Sequence, residues 1–119
     1  MLSLPSSTRV LVYRGAMDMR CSFERLSAAV KHVLVQDPTS GHLFVFLNRQ
    51  RTHVKILYYD RTGYAIWYKR LERGTFSAPE KDEIAYHELV AMLEGFDLER
   101  KCMKLRHFRT NSDALTSTL

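Results

Sequence analysis

Apolar and polar positions change rhythm several times along the chain, and each change marks an element. Residues 8–14 alternate, with β-branched side chains at Thr8, Val10 and Val12, which predicts a first strand ended by Gly15. Met19, Phe23, Leu26, Val30 and Val33 then recur at three- and four-residue spacing, the stripe of an amphipathic helix. Asp18 offers the N-cap, and the helix is expected to run to about Val35. Arg20, Glu24, Arg25 and Lys31 fall off the stripe and should face water. The turn formers Asp37-Pro38-Thr39-Ser40-Gly41 follow.

The rhythm next shortens to that of strands. Leu43–Leu47 is wholly apolar, as expected of a strand covered on both faces. After the polar turn Asn48-Arg49-Gln50-Arg51, residues 53–59 put His53, Lys55, Leu57 and Tyr59 on one side and Val54, Ile56 and Tyr58 on the other. Asp60-Arg61-Thr62-Gly63 fits a hairpin connection, with Gly63 expected to take the positive φ. Residues 64–71 return, setting Ala65, Trp67 and Lys69 opposite Tyr64, Ile66, Tyr68 and Arg70. A second helix is expected at about residues 85–94, with Leu89 and Leu93 inward and Gly95 as its stop.

These elements predict an α+β fold. A small antiparallel sheet (an N-terminal strand plus a three-stranded meander) would pack against one amphipathic helix, with a second short helix toward the C-terminus. Residues 1–97 are expected to form a single domain. Residues 98–119 are expected to be a basic tail, partly disordered or ordered by a partner; the apolar positions of 97–109 fit helix and strand equally.

Size and composition narrow the class. A chain of 119 residues, 45% hydrophobic, can build one core but not two. No apolar run approaches the roughly 20 residues that span a bilayer, so no membrane partner is expected. The first fifteen residues lack a basic segment followed by an apolar one, so no secretory signal is expected either. Cys21 and Cys102 are then expected to be reduced thiols in a cytoplasmic protein.

Charge changes the picture most. Between Asn48 and Gly74, seven Lys and Arg face only Asp60 and Glu72, so this stretch carries the +5 net charge of the whole chain. It also holds Tyr58, Tyr59, Tyr64, Trp67 and Tyr68. Residues 75–96 turn acidic, with Lys81 their single cation. Charge confined in this way points to a polyanion, and nucleic acid is the expected ligand. Arg20, Arg49, Arg51, Lys55, Lys69, Arg70 and Arg73 are the candidate phosphate contacts. Tyr59, Tyr64 and Trp67 are the candidates for a protein-docking patch, since aromatic and Arg side chains also dominate protein interfaces. Edge lysines that block aggregation, and aromatics that pair across strands, would give the same composition with no ligand at all.

Catalytic chemistry finds less support. His32, His42, His53, His87 and His107 are scattered without the close spacing of a structural metal site, so no metal and no cofactor is expected. No nucleophile or phosphate-cradling motif occurs. Asp18, Asp37, Asp60 and Glu72 are the carboxylates that a two-metal nuclease would need to gather. Asp18 reads instead as a helix cap, Asp37 as a turn residue and Asp60 as the start of a hairpin. No catalytic residue is therefore assigned, and a metal-dependent nuclease stays the third reading.

Several strings matter together: Asp18-Met19-Arg20, Gly41-His42-Leu43-Phe44-Val45-Phe46, Lys55-Ile56-Leu57-Tyr58-Tyr59-Asp60, Trp67-Tyr68-Lys69-Arg70-Leu71-Glu72-Arg73-Gly74 and Leu93-Glu94-Gly95. Their order and spacing over about residues 3–97 resemble the TnpB accessory proteins of the insertion sequence 66 family. Cys21, Asn48 and Tyr59 depart from the usual residues of that family. The resemblance implies a non-catalytic accessory protein of bacterial transposition, encoded beside a separate DDE-type transposase. It implies two partners, the DNA of the element ends and that transposase, and leaves open which of them is touched directly.

Overall fold

The computed structural model describes residues 6–95. Strand β1 (Val10–Ala16) is followed by helix α1 (Phe23–His32), then β2 (Leu43–Leu47), β3 (His53–Asp60) and β4 (Gly63–Arg70). The two-residue strand β5 (Glu83–Ile84) leads into helix α2 (Tyr86–Leu93). The five strands form one sheet in the order β4-β3-β2-β1-β5. The fold is α+β, as the rhythm of the sequence predicts. The expected basic tail 98–119 lies outside the described residues.

One strand joins differently from expectation. β1 runs parallel to β2, with Val10 beside Leu43 and Val12 beside Val45, whereas the other pairings are antiparallel. The helix-bearing connection supplies the reason: a long crossover returns the chain to the same end of the sheet, which a hairpin cannot do. As a result, the C-terminal ends of β1 and β2 lie side by side. Met17 N–H donates to the Leu47 carbonyl there at 2.9 Å.

The sheet is covered on both faces, which accounts for the wholly apolar β2. Phe44 and Phe46 point to one side, with Leu11, Leu57 and the α1 residues Leu26 and Val30. Leu43, Val45 and Leu47 point to the other, with Val10, Val12, Val54, Ile56, Phe76 and the α2 residues Leu89, Met92 and Leu93. Each fully buried side chain of this size contributes about 1.5–3 kcal/mol relative to exposure. The central strand therefore anchors two separate apolar layers.

Helix α1 is shorter than its stripe. It starts at Phe23 with Ser22 as N-cap, and Asp18 does not cap it. Asp18 instead closes the preceding turn: its carbonyl accepts Cys21 N–H, and its carboxylate accepts Arg20 N–H at 2.8 Å. Phe23 at its start and Val33 just past its end are exposed, so only the middle of the stripe is core. The helix exits through Val35, whose φ is +55°, while Gln36 N–H reaches back to the Val30 carbonyl.

The β3–β4 hairpin also corrects a detail. Its positive φ falls on Arg61 (+46°), not on Gly63, because Asp60 and Gly63 are already paired as the last rung of the ladder. At the end of α2 the expectation holds: Gly95 takes φ +84° just past the last turn. Among the described residues no helix is long and apolar enough to cross a membrane.

Candidate nucleic-acid interface

The turn between β2 and β3 is stapled by one side chain. Asn48 Oδ1 accepts the N–H groups of Thr52 (2.9 Å) and His53 (3.1 Å), while Nδ2 reaches Thr52 Oγ1 at 3.1 Å. Arg51 takes φ +59° within it, and its carbonyl accepts Phe76 N–H at 2.7 Å. Anchored at both ends, the turn holds Arg49 and Arg51 out into water. Neither makes an ion pair among the described residues.

Around this turn the other chain ends converge. Arg70 closes β4 in register with His53 at the start of β3, and Leu71 N–H donates to the Thr52 carbonyl at 2.9 Å. Arg73 follows within the same connection, exposed and without an ion pair among the described residues. From the parallel neighbour, the end of β1 contributes Arg14. A cleft of about 230 Å³ lies between these ends, lined by Arg14, Gly15, Asn48, Arg49, Arg51 and Pro79 among others. An adjoining cleft of about 450 Å³ runs from Arg49 past Gln50 and His53 to Met17, Asp18 and Met19.

Four of the seven cations proposed from the sequence thus share one end of the sheet: Arg49, Arg51, Arg70 and Arg73. Arg14 joins them, although it lies outside the basic stretch and only the parallel pairing of β1 brings it there. Carboxylates temper the group in part. Arg14 meets Asp82 at 3.3 Å and Arg70 meets Glu72 at 3.2 Å, both pairs well exposed. Such pairs are weakly held and free to exchange for a phosphate.

The remaining three cations are engaged otherwise. Lys55 is only 9% exposed; its ammonium donates at 2.7 Å to the carbonyls of both Met19 and Cys21 and lies 5.0 Å from the centre of the Tyr68 ring. It sits on the α1 face. Lys69 points to the opposite face and donates to the Leu93 carbonyl at 2.7 Å. Helix α2 has no basic residue in its last turn, so Lys69 supplies the cation that the C-terminal dipole favours. Arg20 remains on the surface, its side chain 91% exposed, gripping Asp18 at 2.6 Å. The hydrogen bonds from Arg20, side chain first and then backbone, hold the Asp18 carboxyl at about 2, below its ordinary value.

The aromatic candidates divide as well. Tyr59 and Tyr64 meet edge to face at 5.3 Å on the α1 side. Trp67 packs on the other face against the α2 layer. Tyr68, which was not singled out, is 52% exposed on the Tyr64 side of β4. The four candidate nuclease carboxylates are not brought together: Asp18 holds Arg20, Asp37 binds Thr39, Glu72 faces Arg70, and Asp60 stands at the hairpin. Among the described residues no three of His, Cys, Asp and Glu are grouped to hold a metal ion.

Fold and site together define a small α+β domain with an arginine-bearing sheet end. The family model described as IS66 Orf2-like protein matches residues 8–103, and the chain belongs to that family. Membership ties it to the transposition machinery of an insertion sequence, as an accessory rather than a known catalyst. Two similar proteins come from Sinorhizobium fredii. Uncharacterized protein y4hO is 36% identical over 101 residues, covering 82% of this chain and 88% of its own. Uncharacterized protein y4jC is 31% identical over 103 residues, covering 81% and 88%. No solved structure matches the chain.

Proposed function

We propose that this protein is a non-catalytic accessory factor of insertion-sequence transposition that holds element-end DNA by its phosphates. Arg49, Arg51 and Arg73 would make the contacts, with Arg14 and Arg70 recruited from their exposed ion pairs. The observation that carries this reading is that Arg49 and Arg51 stand in a stapled turn and line one cleft with Arg14, while the chain bearing Arg70 and Arg73 closes β4 beside that turn. Phosphate contact needs several cations within one surface, and each neutralised phosphate adds to the salt dependence of binding. Arg20, Lys55 and Lys69 act in this account as structural cations whose partners are already within the chain. The DDE-type transposase encoded beside the protein is the second partner.

A docking module for that transposase is the alternative, favoured by the Tyr59–Tyr64 pair and the exposed Tyr68 on one side of the β3–β4 hairpin. Titration of labelled element-end and random DNA at two salt concentrations, with and without transposase, separates the two. Direct binding that weakens steeply with salt supports DNA contact. No shift by the isolated protein, together with transposase co-purification at high salt, would move the function to the aromatic side. DNA cut in the presence of Mg²⁺ or Mn²⁺ would overturn both.

A further inference from the structure

The two edges of the sheet end differently. β1 is shielded by β5, and Val12 N–H donates to the Asp82 carbonyl at 2.8 Å. At the other edge β4 presents eight residues, and among the described residues no strand pairs with its outer side. Natural sheets blunt a long edge with bulges, prolines or outward lysines, because its unpaired N–H and C=O groups are a template for another strand.

The ladder identifies which groups face outward. Leu71 N–H donates to the Thr52 carbonyl, so those two residues form a hydrogen-bonded pair. Alternation along an antiparallel ladder then gives bonded pairs at Lys69, Trp67, Ala65 and Gly63. The peptide groups of Tyr64, Ile66, Tyr68 and Arg70 consequently point away from β3. The guard expected of an edge is absent, since the Lys69 ammonium is drawn onto the Leu93 carbonyl.

We infer that β4 is a dimerisation edge and that its occupant is β4 of a second copy, paired antiparallel about Ile66. The strand is self-complementary in size. In that register Trp67 of each copy opposes Ala65 of the other on the α2 side, and Tyr68 opposes Tyr64 on the α1 side. The same register sets Lys69 of each copy opposite Gly63 of the other and Arg70 opposite Thr62, so no like charges are opposed along Gly63–Arg70. Two-fold symmetry uses each of these matches twice. The sheet then continues across both copies, with the two arginine ends pointing in opposite directions.

Amide hydrogen exchange on the full chain, at two concentrations about a hundredfold apart, reads this edge residue by residue. The Tyr64, Ile66 and Tyr68 amides are expected to exchange slowly when concentrated and to speed up on dilution. Tyr68→Pro deletes one outward N–H and leaves the ladder to β3 intact, so it should sediment as a monomer with an unchanged circular dichroism spectrum. Where proline perturbs the strand, Tyr68→Lys places a charge on the edge at a half-exposed site and should give the same monomer. Fast exchange at both concentrations would overturn the proposal, as would a dimer that survives both substitutions. Protection unaffected by dilution in a chain that sediments as a monomer would also overturn it, assigning the edge to residues of the same chain.

Discussion

Lys55 shows how a residue's surroundings decide its role. In the sequence it is one more cation in a basic stretch; in the fold its part-buried ammonium is where two carbonyls, those of Met19 and Cys21, converge. Lys55→Met keeps the stem and deletes the ammonium, leaving both carbonyls unsatisfied. Unfolding in urea should then show a loss of about 2 kcal/mol, while the salt dependence of DNA binding stays as in the wild type. A stable variant with a flattened salt slope would place Lys55 in the interface instead. Asp18 gives a second test. Its carboxyl, at about 2 in the fold against an ordinary 3.8, contributes stability that is complete above the ordinary value and is lost as pH falls through about 2. Asp18→Asn should remove that part of the acid limb, and a carboxyl found by NMR to titrate near 3.8 would contradict the Arg20 contact. No spacing rule exposes either role, because Lys55 and its acceptors are separated by more than thirty residues and Asp18 looks like an ordinary helix cap.

Elements with a strong rhythm were legible, and those set by distant contacts were not. The bounds of β2 follow from its uninterrupted apolar run, and the β3–β4 hairpin from alternation on both sides of a turn. The parallel direction of β1 has no local signal, since its alternation would suit either neighbour. β5 is two residues long, too short for any period. The end of α1 was overrun because Val33 and Val35 continue an apolar pattern that the fold leaves in water. Val35 is 76% exposed with φ +55°, an unfavourable conformation for a β-branched side chain. Val35→Asn should relieve it and raise stability by about 1 kcal/mol, measured by the shift of a thermal or urea midpoint; a loss would mean that the valine makes contacts that outweigh the backbone cost. Phe46→Ala tests the opposite case. The ring is fully buried between α1 and Tyr13, and its removal should cost about 3–5 kcal/mol.

At the scale of the whole molecule, the basic stretch is folded so that its charges part company. The lysines of the ribbon go to opposite faces and serve carbonyl groups, while most of its arginines collect where β1, β2, β3 and β4 meet. Sequence reading located the charge in the correct stretch but could not assign it to an end of the sheet. That assignment depends on strand direction, and Arg14 enters only through it. The difference between arginine and lysine in this fold makes the account easy to test. Salt titrations of DNA binding should be compared for the wild type, Arg49→Ala/Arg51→Ala and Lys69→Gln. Losing two phosphate contacts should lower the slope of log K against log salt by about 1.8, whereas Lys69→Gln should leave it unchanged and only loosen the end of α2. Equal slopes in the wild type and the double arginine variant would contradict the claim that this end of the sheet holds DNA.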